Sequence, residues 1–250
     1  MIPENIKNQN ITPHNKKDVF RFRQFSVAHR NSTMKVGTDA VLLGIFAGEG
    51  SRPHHILDIG TGSGVIALIL AQRFPKANIQ AIDIDQPSVE EARYNFLRSP
   101  WKERLKVFHT GLEEFSKTTS ARYDLMICNP PFFKNATLSP SERKNMTRHA
   151  GSLTVPFLLE TAGRLLTENG IFSLIFPFEQ RKEVLQKAGE HELYCHRRLD
   201  IFPKKHLSPN RCILELRKGK TDCQQDSLTI YNGDNTYTKE YRRYGRDFYL

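Results

Sequence analysis

A glycine-rich turn between a short apolar strand and a helix constrains the fold of this chain more than any other feature. The turn has the spacing GxGxG, at Gly60, Gly62 and Gly64, and it follows a strand that ends near Asp58. A second acid, Asp83, ends the next predicted strand about 20 residues after the turn. Glycines let a ligand approach the backbone closely, and the helix that follows offers free N–H groups and a partial positive charge. The pattern predicts a ligand site where two neighbouring parallel strands end.

Strand-like and helix-like segments alternate over most of the sequence. The predicted strands are Ile56–Asp58, Asn78–Asp83, Leu105–His109, Tyr123–Cys128 and Ile171–Phe176, and the runs Leu193–Phe202 and Cys212–Leu216 are expected to pair as a hairpin. The predicted helices are Val65–Arg73, Gln86–Leu97, Phe157–Leu166, which Asn169 and Gly170 end, and Glu179–Ala188. Alternating units of this kind give a parallel sheet with helices on both faces. We expect a doubly wound α/β, Rossmann-like fold with a mixed seven-stranded sheet that ends in an antiparallel hairpin.

Three regions differ in character along the chain. Residues 1–20 are rich in Asn, Lys and Pro and are expected to form a flexible N-terminal segment. Residues 21–220 are expected to form the main domain, and residues 221–250 a C-terminal extension that either packs on the domain or frays. A short helix is expected after Gly37, capped by Thr38 or Asp39.

The N-terminal part of the main domain contains an alternating aromatic pattern. Phe20, Phe22, Phe25 and Val27 are separated by polar residues. This alternation predicts a short strand or hairpin, and core packing explains the phenylalanines better than an RNA stacking surface does.

Composition excludes several classes of protein. Hydrophobic residues make up 38% of the 250 residues, which is enough for a large core and argues against general disorder. The longest apolar run, Val65 to Ala71, is too short for a membrane span of about 20 residues, and the N-terminal residues lack the apolar segment of a signal peptide. The four cysteines (Cys128, Cys195, Cys212 and Cys223) form no CxxC pair. We therefore expect neither a zinc site nor a disulfide framework, and we expect the reducing cytoplasm as the compartment.

The glycine turn and the acid that follows it resemble two motifs of a large enzyme superfamily. They are similar to motif I and the next acidic motif of class I S-adenosylmethionine (SAM)-dependent methyltransferases. The third glycine is one residue too early for the GxGxxG of dinucleotide enzymes. The resemblance implies SAM as the cofactor, with Asp83 accepting hydrogen bonds from its ribose.

A second motif, Asn-Pro-Pro-Phe, follows the predicted strand that ends at Cys128. The Asn129 side-chain oxygen and the Pro130 carbonyl can accept hydrogen bonds from an exocyclic amino group, which would orient its lone pair toward a methyl donor and stabilise the developing charge. Pro131 stiffens the loop together with Pro130, and Phe132 offers a ring on which a planar base can stack. The tetrad resembles the [NDS]PP[YFW] motif of amino-group methyltransferases.

Further segments narrow the resemblance. They are Met34 to Gly44, Ile56 to Arg73, Ser99 to Arg104 and Asn129 to Phe133. Over residues 25–216 the chain resembles the bacterial tRNA1(Val) adenine-37 N6-methyltransferase family. The resemblance implies a cytoplasmic enzyme that methylates the adenosine 3′ of the anticodon in a valine tRNA and releases S-adenosylhomocysteine. It implies no metal, no membrane and no obligate protein partner.

The resemblance also implies roles for individual residues. Cofactor binding is expected at Lys35, Gly37, Thr38, Asp58, Gly60, Gly62, Gly64, Asp83 and Asn129, with the residues from Lys35 to Asp39 at the methionine end. Catalysis is expected from Asn129, Pro130, Pro131 and Phe132, and substrate contacts from Phe132, Phe133, Lys134 and Arg148. Leu112 stands where many relatives carry an Asp that accepts from the cofactor's adenine, so Glu113 or a backbone group is expected to take that role.

The charge balance favours a polyanionic substrate. The chain has 37 Lys and Arg against 27 Asp and Glu, a formal net charge of +10. Eight Lys or Arg lie between Tyr194 and Lys220, and a second group consists of Lys134, Arg143, Lys144 and Arg148. Two basic segments around a predicted amino-methylation site are expected to neutralise RNA phosphates.

Three alternatives remain open from the sequence. Guanine-N2 methylation of rRNA fits the Asn-Pro-Pro-Phe tetrad, but such enzymes usually carry a duplicated N-terminal domain. Glutamine-N5 methylation of a translation factor fits the same tetrad, but the basic excess and the missing N-terminal helical domain argue against it. A non-catalytic RNA-binding module with a SAM pocket would not need the intact tetrad.

Overall fold

The computed structural model describes residues 18–32, 35–130 and 153–249. Its strands are β1 (Val19–Arg21), β2 (Ser26–Ala28), β3 (His55–Ile59), β4 (Asn78–Asp83), β5 (Leu105–His109), β6 (Tyr123–Cys128), β7 (Leu166–Pro177), β8 (Leu193–Lys204), β9 (Arg211–Lys218) and β10 (Gln224–Tyr231). Its α-helices are α1 (Thr38–Phe46), α2 (Val65–Arg73), α3 (Gln86–Leu97), α4 (Leu112–Thr118), α5 (Val155–Leu165), α6 (Arg181–Glu190) and α7 (Lys239–Gly245).

The described residues build one large sheet with the strand order β10-β8-β9-β7-β6-β3-β4-β5. Strands β3 to β7 run parallel to one another, and β9 runs antiparallel to both β7 and β8. This confirms the doubly wound α/β fold and its antiparallel hairpin. The sheet has eight strands in this part of the chain rather than the expected seven, because β10 adds parallel to the edge of β8.

Helices cover both faces of the sheet, and each face has its own core. Helices α1, α2 and α3 pack on one face together with the β1–β2 hairpin, and α4, α5 and α6 pack on the other. Neighbouring residues of a strand therefore enter different cores, as Ile56 and Leu57 do in β3. In the three described ranges, no helix is long and apolar enough to cross a membrane.

The two ends of the described chain pack against each other. Phe22 and Phe25 are buried, as predicted, and their rings stack at a centroid distance of 4.5 Å. The backbone N–H of Arg23 donates to the Phe248 carbonyl at 2.8 Å. Tyr241 and Phe248 are buried in the core on the face of the sheet that α1, α2 and α3 cover. Residues 221–249 thus pack on the domain, which was one of the two possibilities for this segment.

The sequence indicated no disulfide framework, but two of the four cysteines are paired. Cys195 and Cys223 are joined in a disulfide although they are 28 residues apart in the sequence. The parallel pairing of β10 with β8 sets Gln224 beside Arg197 and so carries Cys223 to Cys195. Cys128 and Cys212 are buried free thiols.

Two element boundaries also differ from the predictions. Helix α1 begins at Thr38 with Gly37 as its N-cap residue, and no side chain caps it. Helix α5 ends at Leu165, and Gly170 lies within β7, where a Cβ atom would come within 2.8 Å of the Tyr123 carbonyl. The strand needs this glycine because its backbone passes close to β6 at a shift of register.

Candidate active site

Three of the predicted site residues lie side by side at one edge of the sheet. In the strand register, Ile59 is level with Ile82 on one side and with Cys128 on the other. The next residue along each strand is Gly60, Asp83 and Asn129, respectively. Strand β3 lies between β4 and β6, so this point is where the sheet winds in both directions, and such points bind ligands in open α/β sheets.

The three glycines of the turn serve two different purposes. All three have positive φ, between 55° and 82°. A Cβ atom on Gly60 or Gly62 would meet nothing within 4 Å, whereas one on Gly64 would lie 2.5 Å from the Phe96 ring. Gly64 therefore allows α2 and α3 to pack closely, while Gly60 and Gly62 leave open space at their backbone.

Asp83 supports the turn and faces the same space. Its Oδ2 accepts a hydrogen bond from the Gly62 N–H at 2.8 Å, and its Oδ1 accepts one from the Asp85 N–H at 2.9 Å. Burial raises the pKa of the Asp83 carboxyl, and these backbone donors oppose that shift. The carboxylate is thus held in one orientation at the end of β4.

Asp58 is a fully buried acid at the end of β3. Its Oδ2 accepts from the Thr61 hydroxyl at 2.6 Å, and its Oδ1 is buried with no hydrogen-bond partner in the described ranges. Burial raises the pKa of Asp58 to about 7, and the nearby charge of Asp83 contributes to the rise. Two acidic groups in a site of low solvent exposure favour a ligand that carries positive charge.

Asn129 and Pro130 follow β6 at the same edge. The Oδ1 atom of Asn129 is buried, and within residues 18–32, 35–130 and 153–249 it has no hydrogen-bond partner. Buried acceptors without partners are rare and costly, so this oxygen is suited to a donor from a ligand. Pro131, Phe132, Phe133, Lys134 and Arg148 lie outside the described residues.

The segment that includes Lys35, Gly37 and Thr38 reaches the same edge of the sheet. Lys35 and Gly37 are exposed, and Thr38 is the first residue of α1. The Asp39 carboxylate pairs with the Arg211 guanidinium at 2.8 Å. Arg211 begins the antiparallel strand β9, so it lies at the edge where the parallel strands end. The residues predicted to bind the methionine end therefore lie near the end of the sheet where Gly60 and Asn129 also lie.

The neighbouring thiol takes no part as a nucleophile. Cys128 is fully buried, and burial raises its pKa well above the ordinary value, with a further contribution from Asp58 and Asp83. It stays a neutral thiol at physiological pH. No group of three or more metal-ligating side chains occurs in the part of the chain that the structure describes.

Comparison with known proteins assigns this arrangement to a family. The sequence profile named Methyltransferase small domain matches residues 31–195, which include the glycine turn, Asp83 and Asn129. The curated tRNA1(Val) (adenine(37)-N6)-methyltransferase of Flavobacterium psychrophilum is 40% identical over 232 residues, which are 93% of this chain and 99% of that protein. The chain belongs to the tRNA1(Val) (adenine(37)-N6)-methyltransferase family.

Other relatives agree with this assignment. The protein of the same name from Trichodesmium erythraeum is 40% identical and covers 92% of this chain and 97% of its own. Among solved structures, a predicted O-methyltransferase from Agrobacterium tumefaciens aligns with a TM-score of 0.64 at 18% identity, over 84% of this chain and 96% of that one. The structural match shows the shared methyltransferase fold.

Leu112 stands after β5, at the position where the family resemblance led us to look for an acid that contacts the cofactor's adenine. Leu112 is buried in the second core, so it contributes no polar contact. Glu113 is exposed and pairs with Lys117 one turn along α4 at 2.7 Å. Ile84, to which the sequence motifs gave no role, follows Asp83 and is 43% exposed. An exposed apolar side chain beside the site offers a contact surface for a planar base.

Two further residues of this methyltransferase were missed by the sequence analysis. Glu91 and Asn95 are buried on α3 and bond to the segment that precedes Lys35. The sequence contained a sign that these two polar residues are buried. They are four positions apart and lie next to the apolar positions Ala92 and Phe96, so they share the helix face that packs on the domain.

Three of the eight cations in the predicted basic segment between residues 194 and 220 form ion pairs within the enzyme. Arg197 pairs with Asp226 at 3.1 Å, Arg198 with Asp200 at 3.1 Å, and Arg211 with Asp39 at 2.8 Å. Paired cations neutralise phosphates poorly, so the segment offers fewer RNA contacts than its composition indicates. Lys205 is exposed in the loop between β8 and β9, at the same edge of the sheet as Asn129.

Proposed function

We propose that this methyltransferase transfers the methyl group of SAM to N6 of adenosine 37 in tRNA1(Val). The observation that carries the proposal is the buried Asn129 Oδ1, which has no hydrogen-bond partner among the described residues and is level with the glycine turn and Asp83. The curated relatives reported above bear the name of this activity. We place the reaction in the cytoplasm, where tRNA is modified.

The residues at the edge of the sheet fit SAM by chemistry and by space. The open backbone at Gly60 and Gly62 allows a close approach, and the fixed Asp83 carboxylate is suited to the ribose hydroxyls. The acidic surroundings of Asp58 complement a cationic ligand. SAM supplies an electrophilic methyl group on a positively charged sulfur.

The protein's own contribution to the transfer is to orient the adenine amino group. The Asn129 Oδ1 and the Pro130 carbonyl accept its two N–H bonds, which turns the nitrogen lone pair toward the methyl donor. The same acceptors stabilise the positive charge that develops on the nitrogen, and one of its protons passes to water after the transfer, so no strong base is required. Phe132 and Phe133 are proposed to stack on the base, and Lys134 and Arg148 to contact the anticodon loop.

The two enzymatic alternatives are not favoured. Guanine-N2 methylation of rRNA and glutamine-N5 methylation of a protein use a similar acceptor motif. The two relatives reported above are named for the adenine reaction, and they align with this chain over 97% or more of their length. The RNA-binding module without catalysis would leave the Asn129 acceptor without a purpose.

The test uses labelled SAM and bulk tRNA from a strain that lacks this gene, followed by nucleoside analysis. We expect label in N6-methyladenosine of valine tRNA. Transcripts of tRNA1(Val) with guanosine at position 37 are the matched substrate control and should stay unlabelled. Label in N2-methylguanosine, or in protein and not in tRNA, would refute the proposed substrate.

A further inference from the structure

Helix α3 binds the N-terminal segment through the carboxylate of Glu91. Glu91 is only 4% exposed. Its Oε1 accepts from the backbone N–H groups of Arg30 at 2.8 Å and Asn31 at 3.1 Å, and its Oε2 accepts from that of Ser32 at 2.8 Å. A carboxylate that accepts several backbone donors forms strong, charge-assisted bonds, so residues 30–32 are held to the helix.

Asn95, one turn later on α3, joins the same segment to the glycine turn. Asn95 is 2% exposed. Its Oδ1 accepts from the Ala28 N–H at 2.9 Å, and its Nδ2 donates to the carbonyls of Ala28 and Ser63, each at 2.8 Å. Ser63 lies between the glycines of the turn. One amide group therefore connects the end of β2 with the loop that leads into α2.

The segment after these anchors is held at its other end as well. Ser32 precedes Lys35 by only three positions, and the Asp39–Arg211 ion pair follows at the start of α1. Lys35, with the exposed Gly37, thus lies on a short span between two fixed points. Glu91 and Asn95 bond to backbone groups and not to a ligand above Gly60 and Gly62. Any effect they have on ligand binding therefore passes through the residues that they hold in place.

We propose that Glu91 and Asn95 are positioning residues that hold residues 35–38 and the glycine turn in the arrangement that binds the methionine end of SAM. The proposal rests on the proposed function only for the identity of the cofactor. It requires that loss of either anchor weakens cofactor binding although neither side chain touches the ligand. A purely structural role would lower the melting temperature and leave the affinity of the folded protein unchanged.

The test measures S-adenosylhomocysteine binding by calorimetry on the full chain. Glu91→Ala and Asn95→Ala are each expected to raise the Kd at least tenfold at a temperature where circular dichroism shows the variant folded. Glu90→Ala is the matched control, because Glu90 is exposed on the same helix and accepts a hydrogen bond from the Gln86 side chain one turn earlier. It should stay within twofold of wild type. A wild-type Kd in folded Glu91→Ala would overturn the proposal.

Two further measurements keep the proposal testable if an alanine variant does not fold. Glu91→Gln keeps one acceptor oxygen but presents an amide NH2 to a backbone N–H. Its Kd should be at least threefold higher than that of wild type. Where Glu91→Ala can be measured, the Kd of Glu91→Gln should lie between those of wild type and Glu91→Ala. In the wild-type protein, S-adenosylhomocysteine should slow amide hydrogen exchange at residues 30–32. Unchanged exchange at these amides with the ligand bound would overturn the proposal.

These readouts do not involve RNA, so the two proposals can fail separately. A wild-type protein that binds S-adenosylhomocysteine and leaves tRNA unlabelled would refute the proposed substrate, while the anchor variants would still decide the positioning role. A wild-type protein that does not bind S-adenosylhomocysteine would refute both.

Discussion

The backbone N–H of Gly62 donates to the Asp83 carboxylate at 2.8 Å and so joins the glycine turn to the end of β4. The N–H groups of Gly60 and Thr61 both donate to the carbonyl of Ile82, at 2.9 and 3.1 Å. The turn is therefore supported by the neighbouring strand as well as by its own. Each oxygen of Asp83 accepts one backbone donor and keeps capacity for another, so the same group can hold the loop and bind a hydroxyl.

Replacing Asp83 is expected to weaken cofactor binding. Asp83→Asn keeps the size of the side chain but removes the charge that strengthens its bonds to Gly62 and to the ribose. Hydrogen bonds to charged groups contribute about 1.5–3 kcal/mol each, so the Kd for SAM should rise roughly 10- to 100-fold. Calorimetry measures it. Asp85→Asn is the control, because asparagine also caps α3 and the Asp85 N–H remains. Equal affinities of the Asp83 variant and wild type would contradict the ribose assignment.

Replacing Asn129 is expected to remove most turnover and to weaken SAM binding far less, because Asn129 is one of several predicted cofactor contacts. Asn129→Ala deletes the buried acceptor, and loss of one such transition-state contact lowers kcat by about 100-fold or more. Single-turnover methylation of valine tRNA measures the rate, and calorimetry measures the affinity for SAM. Asn78→Ala is the control, since Asn78 lies at the opposite end of β4. Turnover near the wild-type rate in Asn129→Ala would exclude the proposed role.

Alanine at Gly64 is expected to destabilise the fold more than alanine at Gly62. Gly62→Ala meets open space and suffers only from its positive φ, a cost of about 1–2 kcal/mol. Gly64→Ala also places a methyl group against Phe96, which adds about 1–3 kcal/mol. We expect urea unfolding to show the larger loss for Gly64→Ala. If Gly62→Ala were the less stable variant, the packing role of Gly64 would be wrong.

The buried Glu215 should make stability depend on pH. Burial raises its pKa to about 7 from an ordinary value of 4.5, while the Gly48 N–H and the arginines at 73 and 197 oppose the rise. Between these two values the folded protein retains a proton that the unfolded chain has released, so stability falls as the pH rises through this window. Glu215→Gln keeps an acceptor for Gly48 and has no proton to lose.

Thermal unfolding at pH 5 and pH 8 checks this prediction. From pH 5 to pH 8, the melting temperature of wild type should fall relative to that of Glu215→Gln. Glu114→Gln, a change at an exposed carboxylate, should follow wild type at both pH values. The same pH dependence in wild type and Glu215→Gln would show that Glu215 does not titrate in this window.

Local patterns predicted the part of the site that depends on short segments. The glycine spacing, the acid after the next strand and Asn129 after β6 each follow from a strand that ends in a turn, and parallel strands bring such ends to one edge. The chemical types of the residues then indicated a SAM site next to a group that accepts hydrogen bonds from the amino group to be methylated. The predictions for Pro131, Phe132, Phe133, Lys134 and Arg148 remain predictions, because these residues lie outside the described ranges.

Contacts between distant segments were not predictable in the same way. The bonds from Glu91 to residues 30–32 span about 60 positions, and a polar residue on a helix does not reveal its partner in the sequence. The ion pairs that Arg197 and Arg211 form with acids of other elements were not predictable for the same reason. The disulfide from Cys195 to Cys223 depends on an eighth strand whose edge pairing has no local pattern.

The sequence by itself determined the fold class and the family resemblance, and it predicted roles for Asp58, Asp83 and Asn129, because these inferences depend on residue type and spacing at the ends of short strands. Only the tertiary structure decided how deeply those groups are buried, how α3 holds residues 30–32, and which of the described cations stay exposed. These properties arise from packing between elements far apart in the chain, where burial and hydrogen-bond partners are set by the whole fold.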